Sequence, residues 1–398
     1  MDASTRRPWQ LPDGIDELLP AAAAHVERLR RNLLDTAVRW GYRIVVPPMM
    51  EYTDSLLVGA GEDLDLLTFK FPDQASGRTL GLRADMTPQV ARIDAHSLGG
   101  EGVNRLCYAG STLHTRARSL AASRSPMQLG AELFGDAGPL ADLEVIELML
   151  AMFDAAGIEE TGLTLDLGHG NLFAAVLEAS GVESEPARAR ILDAIQRKSR
   201  PDLDALIAEL PAEGAKLLSA LVDLHGGVDV LDRAEELFAG IPEALAAVED
   251  IRGLARGLAK RRPNLSLYVD LAELRGYRYH TGVVFAAYAR GLGEALGRGG
   301  RYDNVGAVYG VARPATGFAT DLRLLAARVP QKDAGDGAIA APALEDAALQ
   351  ERIDALRAGG ETVIVALGGV QDERCTRTLI RRDGEWQLID LVLTEKSA

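Results

Sequence analysis

Thr79-Leu80-Gly81-Leu82-Arg83-Ala84-Asp85-Met86-Thr87-Pro88-Gln89-Val90-Ala91-Arg92 decides the fold. Thr79 to Ala84 reads as a strand. Thr87-Pro88 opens a helix, with threonine as N-cap and proline at the first helical position, and that helix carries Val90, Ile93 and Leu98. Upstream, Leu66 to Phe71 reads as a partner strand, separated by Pro72 to Arg78, a stretch with turn chemistry. Downstream, strands are expected near Arg105 to Ala109 and Met127 to Phe134, with a polar, arginine-rich loop, Thr115 to Ser125, between them. Consecutive strands joined by turns, not helices, point to an α+β domain around a mainly antiparallel sheet.

The flanks extend this pattern. Val26, Leu29, Leu33, Ala37 and Trp40 recur at helical spacing from about Ala22 to Trp40, and Gly41 stops the helix. Ile44-Val45-Val46 reads as a short buried strand ended by Pro47-Pro48. A helix is expected from Pro139 to Ala156, then a strand from Leu163 to Leu167. Residues 181–262 are rich in alanine, leucine and charge, with Pro186, Pro201, Pro211 and Pro242 among them, which predicts several short helices. Strand character returns at Leu265 to Asp270 and Gly282 to Tyr288. Gly297 to Gly300 reads as a turn, Phe318 to Arg328 as a helix, and 330–341 as a linker. The remaining 342–398 holds a helix, Leu344 to Arg357, a strand, Thr362 to Leu367, and a last segment, Trp386 to Leu393.

The chain has 398 residues, too many for one ordinary domain. Lysine and arginine total 43 against 58 acids, a net charge of −15, so phosphate-backbone binding to a large RNA or DNA partner is disfavoured. The two cysteines, Cys107 and Cys375, form no Cys-x-x-Cys pair, which speaks against a zinc site or a disulfide framework. The start carries Asp2, Arg6, Arg7 and Pro8 without an apolar core, and no apolar run nears the roughly 18 residues of a membrane span. A cytoplasmic protein without membrane partners is expected.

No phosphate-binding loop and no nucleophile elbow is present, and the six histidines are not spaced as a helical metal pair, so no cofactor or metal is expected. A scattered polar set is more informative. Asp85 and Thr87 end one strand, and two-residue alternation puts Gln128, Gly130 and Glu132 on one face of another. Leu274-Arg275-Gly276-Tyr277-Arg278-Tyr279-His280 supplies a cation, aromatics and an imidazole. A free α-amino acid needs acceptors for its ammonium and a cation for its carboxylate. Asp85, Glu132 and Arg275 meet those demands; each also suits an ordinary satisfied polar position.

Gly41-Tyr42-Arg43-Ile44-Val45-Val46-Pro47-Pro48-Met49-Met50-Glu51 resembles motif 1 of the class II aminoacyl-tRNA synthetases. Leu82 to Arg92 with Arg105 to Gly135 resembles the motif 2 region of histidyl-tRNA synthetase. Leu274 to Phe285 and Gly299-Gly300-Arg301-Tyr302-Asp303 resemble its two histidine signatures, and Ala315 to Ala319 leads into motif 3. The matches fall in consistent order over about residues 10–328. The resemblance implies a class II synthetase-like antiparallel sheet flanked by helices, formed by 1–180 and 263–329. It leaves 181–262 as a helical insertion, 330–341 as a linker and 342–398 as a small C-terminal α/β unit. It also implies a dimeric core with motif 1 at the interface.

Departures shape the expected function. The motif 2 arginine that holds the ATP α-phosphate falls at His114, the following glutamate at Arg116, and the motif 3 arginine at Leu324. Asp321 adds negative charge there, and the first signature keeps Arg275 but has Arg278 in place of its aspartate. Losing one transition-state donor costs on the order of 2.7–4 kcal/mol, so losing both arginines cripples adenylation. The tail is also shorter than the synthetase's anticodon-binding domain.

Arg275 to Phe285 and Leu82 to Arg92 further resemble the regulatory subunits of ATP phosphoribosyltransferase, paralogues of the synthetase. That implies a non-catalytic protein of histidine biosynthesis, paired with a short-form catalytic subunit in a hetero-oligomer, inhibited by histidine and without tRNA. The implied histidine pocket has Asp85 and Glu132 facing the ammonium, Thr87 and Gln128 beside them, Arg275 with Tyr279 or His280 on the far side, and Tyr302 near. The alternatives are an active histidyl-tRNA synthetase and an amino-acid sensor for another partner.

Overall fold

The computed structural model describes residues 10–57, 62–99, 102–117, 122–272, 279–310, 312–330 and 337–391. The chain divides into two compact units, Met1–Pro330 and Gln331–Ala398.

The first unit begins α1 (Pro20–Arg39), β1 (Arg43–Ile44), β2 (Met50–Tyr52), α2 (Thr53–Leu56), α3 (Glu62–Leu67), β3 (Lys70–Pro72), β4 (Thr79–Leu82) and α4 (Thr87–Arg92). Then come β5 (Asn104–Ser111), β6 (Met127–Phe134), α5 (Pro139–Ala156), β7 (Leu163–His169) and α6 (Gly170–Ala179). The helical stretch is α7 (Glu185–Gln196), α8 (Arg200–Ile207), α9 (Ala212–Leu221), β8 (His225–Gly226), α10 (Val230–Leu237) and α11 (Pro242–Arg261). It ends with β9 (Ser266–Asp270), β10 (Val283–Ala289), β11 (Gly297–Arg301), β12 (Ala315–Asp321) and α12 (Leu322–Ala326).

One nine-stranded sheet, ordered β1-β5-β6-β12-β11-β10-β7-β9-β8, organises this unit. Neighbours from β5 to β7 run antiparallel, while β1 on β5 and β9 on β7 run parallel. A small antiparallel sheet, β2-β4-β3, stands apart. The sheet is therefore α+β and mainly antiparallel, in the class II synthetase pattern.

Helix α5 carries apolar residues on nearly every side and is buried along most of its length, because it lies between α1, α11 and the sheet. Its Met149, Met152 and Phe153 join Leu33, Leu165, Phe173 and Ile251 in one large core on that face. The opposite face carries a smaller cluster of Met86, Val90, Leu106, Tyr108, Phe134 and Tyr302 beneath α4. The candidate site lies in this second layer.

Several expectations are corrected. Leu66 lies in helix α3, which ends at Leu67, so the hairpin is shorter and pairs Lys70–Pro72 with Thr79–Leu82. Thr87 lies inside α4, not at its cap; the cap position is Met86, and the threonine hydroxyl is spent on Glu132. Gly297–Arg301 is a central strand, because tight neighbours need glycine: a Cβ on Gly299 would sit 2.1 Å from the Gly317 carbonyl. Phe318 belongs to β12, and the helix starts only at Leu322, where the Asp321 side chain accepts from the Arg323 N–H. Ile44 and Val46 are not buried but 50% and 85% exposed, because β1 is the sheet's last strand.

The second unit comprises β13 (Ala338–Pro342), α13 (Ala347–Ala358), β14 (Val363–Ala366), β15 (Cys375–Arg382) and β16 (Glu385–Asp390), with sheet order β14-β13-β15-β16. Its first strand begins inside the stretch expected to be linker. The β15–β16 hairpin was absent from the sequence reading. It turns on Asp383 and Gly384, both at positive φ, the conformation a two-residue hairpin loop demands.

Candidate functional site

Strand register builds the site. Glu132 on β6 pairs with Leu106 on β5 and with Gly317 on β12. Gly317 is the enabling residue: a Cβ there would sit 1.5 Å from Glu132 Oε2. With no side chain on that neighbour, the carboxylate lies back over the sheet at 1% exposure.

Among the described residues, Glu132 is held by hydroxyls alone. Its Oε1 accepts from Thr87 Oγ1 at 3.0 Å and from Tyr108 at 2.9 Å, and its Oε2 accepts from Tyr302. Burial pushes its pKa up to about 8; the three hydroxyls pull the other way and are outweighed, and the Asp85 charge adds to the rise. Asp85 Oδ1 accepts from the Thr87 N–H and the Gln128 amide, both at 2.9 Å, while Gln128 Oε1 accepts from the Met86 N–H at 2.9 Å. Among the described residues, no lysine or arginine is bonded to either carboxylate.

Tyrosines close one side. Tyr279 stacks on Tyr302 with centroids 5.2 Å apart, and His280 meets Tyr279 edge-on at 5.3 Å. The Tyr279 hydroxyl is buried without a hydrogen-bond partner. Such a group carries an unmet cost until a ligand or water supplies a partner. Burial next to the Glu132 charge pushes the Tyr108, Tyr279 and Tyr302 pKa values up, so all three stay neutral donors.

Asp85, Thr87, Gln128, Glu132, Tyr279, His280 and Tyr302 are thus brought into one region. Arg275 lies outside the described residues. Tyr108 and Gly317 were missed by sequence reading. A strand near Arg105 to Ala109 would set Leu106 and Tyr108 on one face, but nothing in the sequence ties that face to Glu132.

The side where a nucleotide would lie is built differently. His114 is 3% exposed, and its Nε2 bonds the Ala84 carbonyl at 2.9 Å. Leu324 packs on the large core, and Arg116 is exposed. Arg323 is committed to an ion pair with Asp16 and to the Ser125 carbonyl. Burial raises the Asp321 pKa, while the Arg323 and Met127 N–H groups it accepts from hold it down. Arg118 lies outside the described residues. Neither Arg116 nor Arg323 presents an organised phosphate clamp.

The chain matches the family model described as histidyl-tRNA synthetase over residues 14–325. It matches the ATP phosphoribosyltransferase subunit HisZ C-terminal domain over 336–389. It is 50% identical over 390 residues to the ATP phosphoribosyltransferase regulatory subunit of Pseudomonas syringae pv. syringae, covering 96% of this chain and 98% of that one. The regulatory subunit of Pseudomonas aeruginosa PAO1 is 50% identical over 393 residues, with the same coverage. Among solved structures, the ATP phosphoribosyltransferase regulatory subunit/histidyl-tRNA synthetase from Bacillus halodurans is similar, with TM-score 0.79 and 28% identity over 92% of this chain and 95% of that one. Histidyl-tRNA synthetase from Nostoc sp. PCC 7120 shares the fold, with TM-score 0.75 and 18% identity over 97% of both chains.

Proposed function

Because this chain belongs to the ATP phosphoribosyltransferase regulatory subunits, we propose that it regulates that enzyme by holding histidine in the pocket around Glu132, and that its synthetase chemistry is lost. Its role is regulatory, in histidine biosynthesis, and its partner is the catalytic subunit of the transferase. The finer points are inferences: a short-form catalytic subunit, an equal count of the two subunits, and feedback inhibition by histidine.

One observation carries the pocket assignment. Among the described residues, the two carboxylates Glu132 and Asp85 accept only from neutral donors, which leaves room for a cationic complement. The ammonium of an α-amino acid supplies it, and the unpartnered Tyr279 hydroxyl is placed to meet a ligand side chain. Arg275, four residues before Tyr279 in sequence, is the proposed carboxylate partner by resemblance. The loss of adenylation is inferred from buried His114, core-packed Leu324 and paired Arg323. Among the described residues no helix is long and apolar enough to cross a membrane.

Two assays test this reading. Calorimetry with histidine should give binding that Glu132→Gln weakens by about 2–5 kcal/mol. Histidine-dependent ATP/pyrophosphate exchange should be absent. Histidine affinity unchanged in a folded Glu132→Gln protein removes the pocket; measurable exchange removes the non-catalytic reading.

A further inference from the structure

A cavity lies on the face of the sheet covered by α5, α6 and α11. It measures about 560 Å³ and opens between the start of α5, α6, α11 and the Thr281–Val283 entry to β10. Five carboxylates line it, Asp142, Glu178, Glu243, Asp250 and Asp303, against one arginine, Arg301.

Arg301 is already satisfied. It donates to Asp142 Oδ2, to the Asp136 and Gly138 carbonyls and to Asp303 Oδ1. Its charge therefore answers Asp142 and Asp303, leaving Glu178, Glu243 and Asp250 on the rim.

Two buried polar groups are each one bond short. Asp142 is 6% exposed, and its Oδ1 has no hydrogen-bond partner; the nearby Thr316 hydroxyl is turned to the Gly300 carbonyl. His169 is also 6% exposed. Its Nδ1 accepts from the Asn171 N–H at 3.3 Å, which leaves the proton on Nε2. That Nε2 has no hydrogen-bond partner and points across the cavity at Asp250, 3.4 Å away. Burial raises the Asp142 pKa, against the pull of Arg301 and the Thr316 hydroxyl beside it.

The unmet demands are several acceptors and one donor. A metal ion does not suit them, because among the described residues no group of three His, Cys, Asp or Glu side chains can hold one. An ammonium, with three N–H donors and looser geometry, does. We propose that this rear cavity binds a small primary amine, its ammonium on Asp142 and an attached hydroxyl or second polar group on His169, with Glu243 and Asp250 adding negative charge at the rim.

The cavity shares backbone with the front pocket. Arg301 faces the rear while the next residue, Tyr302, donates to Glu132 in front. Thr281 lines the rear next to His280, and its hydroxyl accepts from the Asp303 N–H at 2.9 Å. A ligand that tightens this clamp changes the placement of Tyr302 and Tyr279. The amine and histidine are then thermodynamically coupled, in either direction. This coupling, unlike the amine site itself, rests on the histidine reading above.

Calorimetry with 4-aminobutan-1-ol and 1,4-diaminobutane, with 1,4-butanediol as the uncharged control, tests the site in the full chain. The ¹⁵N imidazole signal of His169 is followed in parallel. The expected result is saturable amine binding that moves the His169 signal. The rim substitutions Glu243→Gln and Asp250→Asn, on exposed helix positions, should weaken it about tenfold together. Butanediol should not bind. Amine binding that survives both substitutions is general attraction to an acidic surface and overturns the proposal, as does absence of binding. Glu132→Gln separates the two pockets: amine binding must persist there. If it disappears, the amine sits in front and the rear site falls while the histidine pocket stands. If it persists but histidine never binds, the rear site stands without the histidine reading.

Discussion

Glu132 is the residue on which most of the chemistry turns. A carboxyl of ordinary pKa 4.5 raised to about 8 by burial holds its proton through neutral pH when the pocket has no cation. The unfolded chain loses that proton near pH 4.5 and the folded one only near 8. Stability from this group is therefore full below pH 4.5 and is lost as pH rises through about 8. Glu132→Gln, which keeps the shape without the charge, should melt with wild type at acid pH and above it at alkaline pH, by up to a few kcal/mol. Melting curves across that range check it. Histidine binding carries the opposite sign. An ammonium needs the carboxylate, so a bound proton must leave. Affinity should rise from about pH 6 to about pH 8, by up to tenfold per pH unit, as calorimetry in buffers of different ionisation heat would show. The same residue marks what the sequence made legible. Alternation placed Gln128, Gly130 and Glu132 on one face, and they are there. That the carboxyl is held by hydroxyls, with Tyr108 among them, depended on the β5–β6 register, which no local pattern specifies.

At the scale of elements, glycines misled the reading and then explain the site. Gly297-Arg298-Gly299-Gly300 has the composition of a turn, yet it is a strand, because the Gly317 carbonyl and Phe285 crowd Gly299 and His280 crowds Gly300. Composition reports conformational freedom, not close approach, and only the assembled sheet shows the difference. Gly317→Ala should displace the Glu132 carboxylate, cost about 1–3 kcal/mol as overpacking does, and remove histidine binding in the same protein. Thermal melts paired with calorimetry read both. The β15–β16 hairpin shows the reverse failure: Asp383-Gly384 between β-prone runs was a readable turn signal that went unused. Strand β1 was read as buried, but its Ile44 and the following Val46 are exposed, with Met49 and Met50 beyond them. Such a strip at the last strand of a sheet marks a protein contact. Ile44→Asp with Val46→Asp should turn a dimer into a monomer by sedimentation; a wild type that is already monomeric contradicts the dimeric core.

At the scale of the molecule, the proposal is that a synthetase-like sheet keeps an amino-acid pocket on one side and has lost the cationic half of its chemistry on the other. Returning the two arginines should not restore it. His114→Arg puts a guanidinium into a buried slot against the Ala84 carbonyl, and Leu324→Arg removes an apolar contact from the large core. The double variant should lose about 1–3 kcal/mol of stability and form no histidyl-adenylate in an exchange assay. On this proposal, what remains is a binding pocket that acts on a partner. The most direct test is the rate of phosphoribosyl transfer to ATP by the short catalytic subunit, titrated with this chain, with and without histidine. The rate should rise to a plateau at equal subunit counts, fall with histidine, and lose that fall, but not the rise, with Glu132→Gln. A rate indifferent to this chain, or histidine inhibition undiminished by Glu132→Gln, contradicts it.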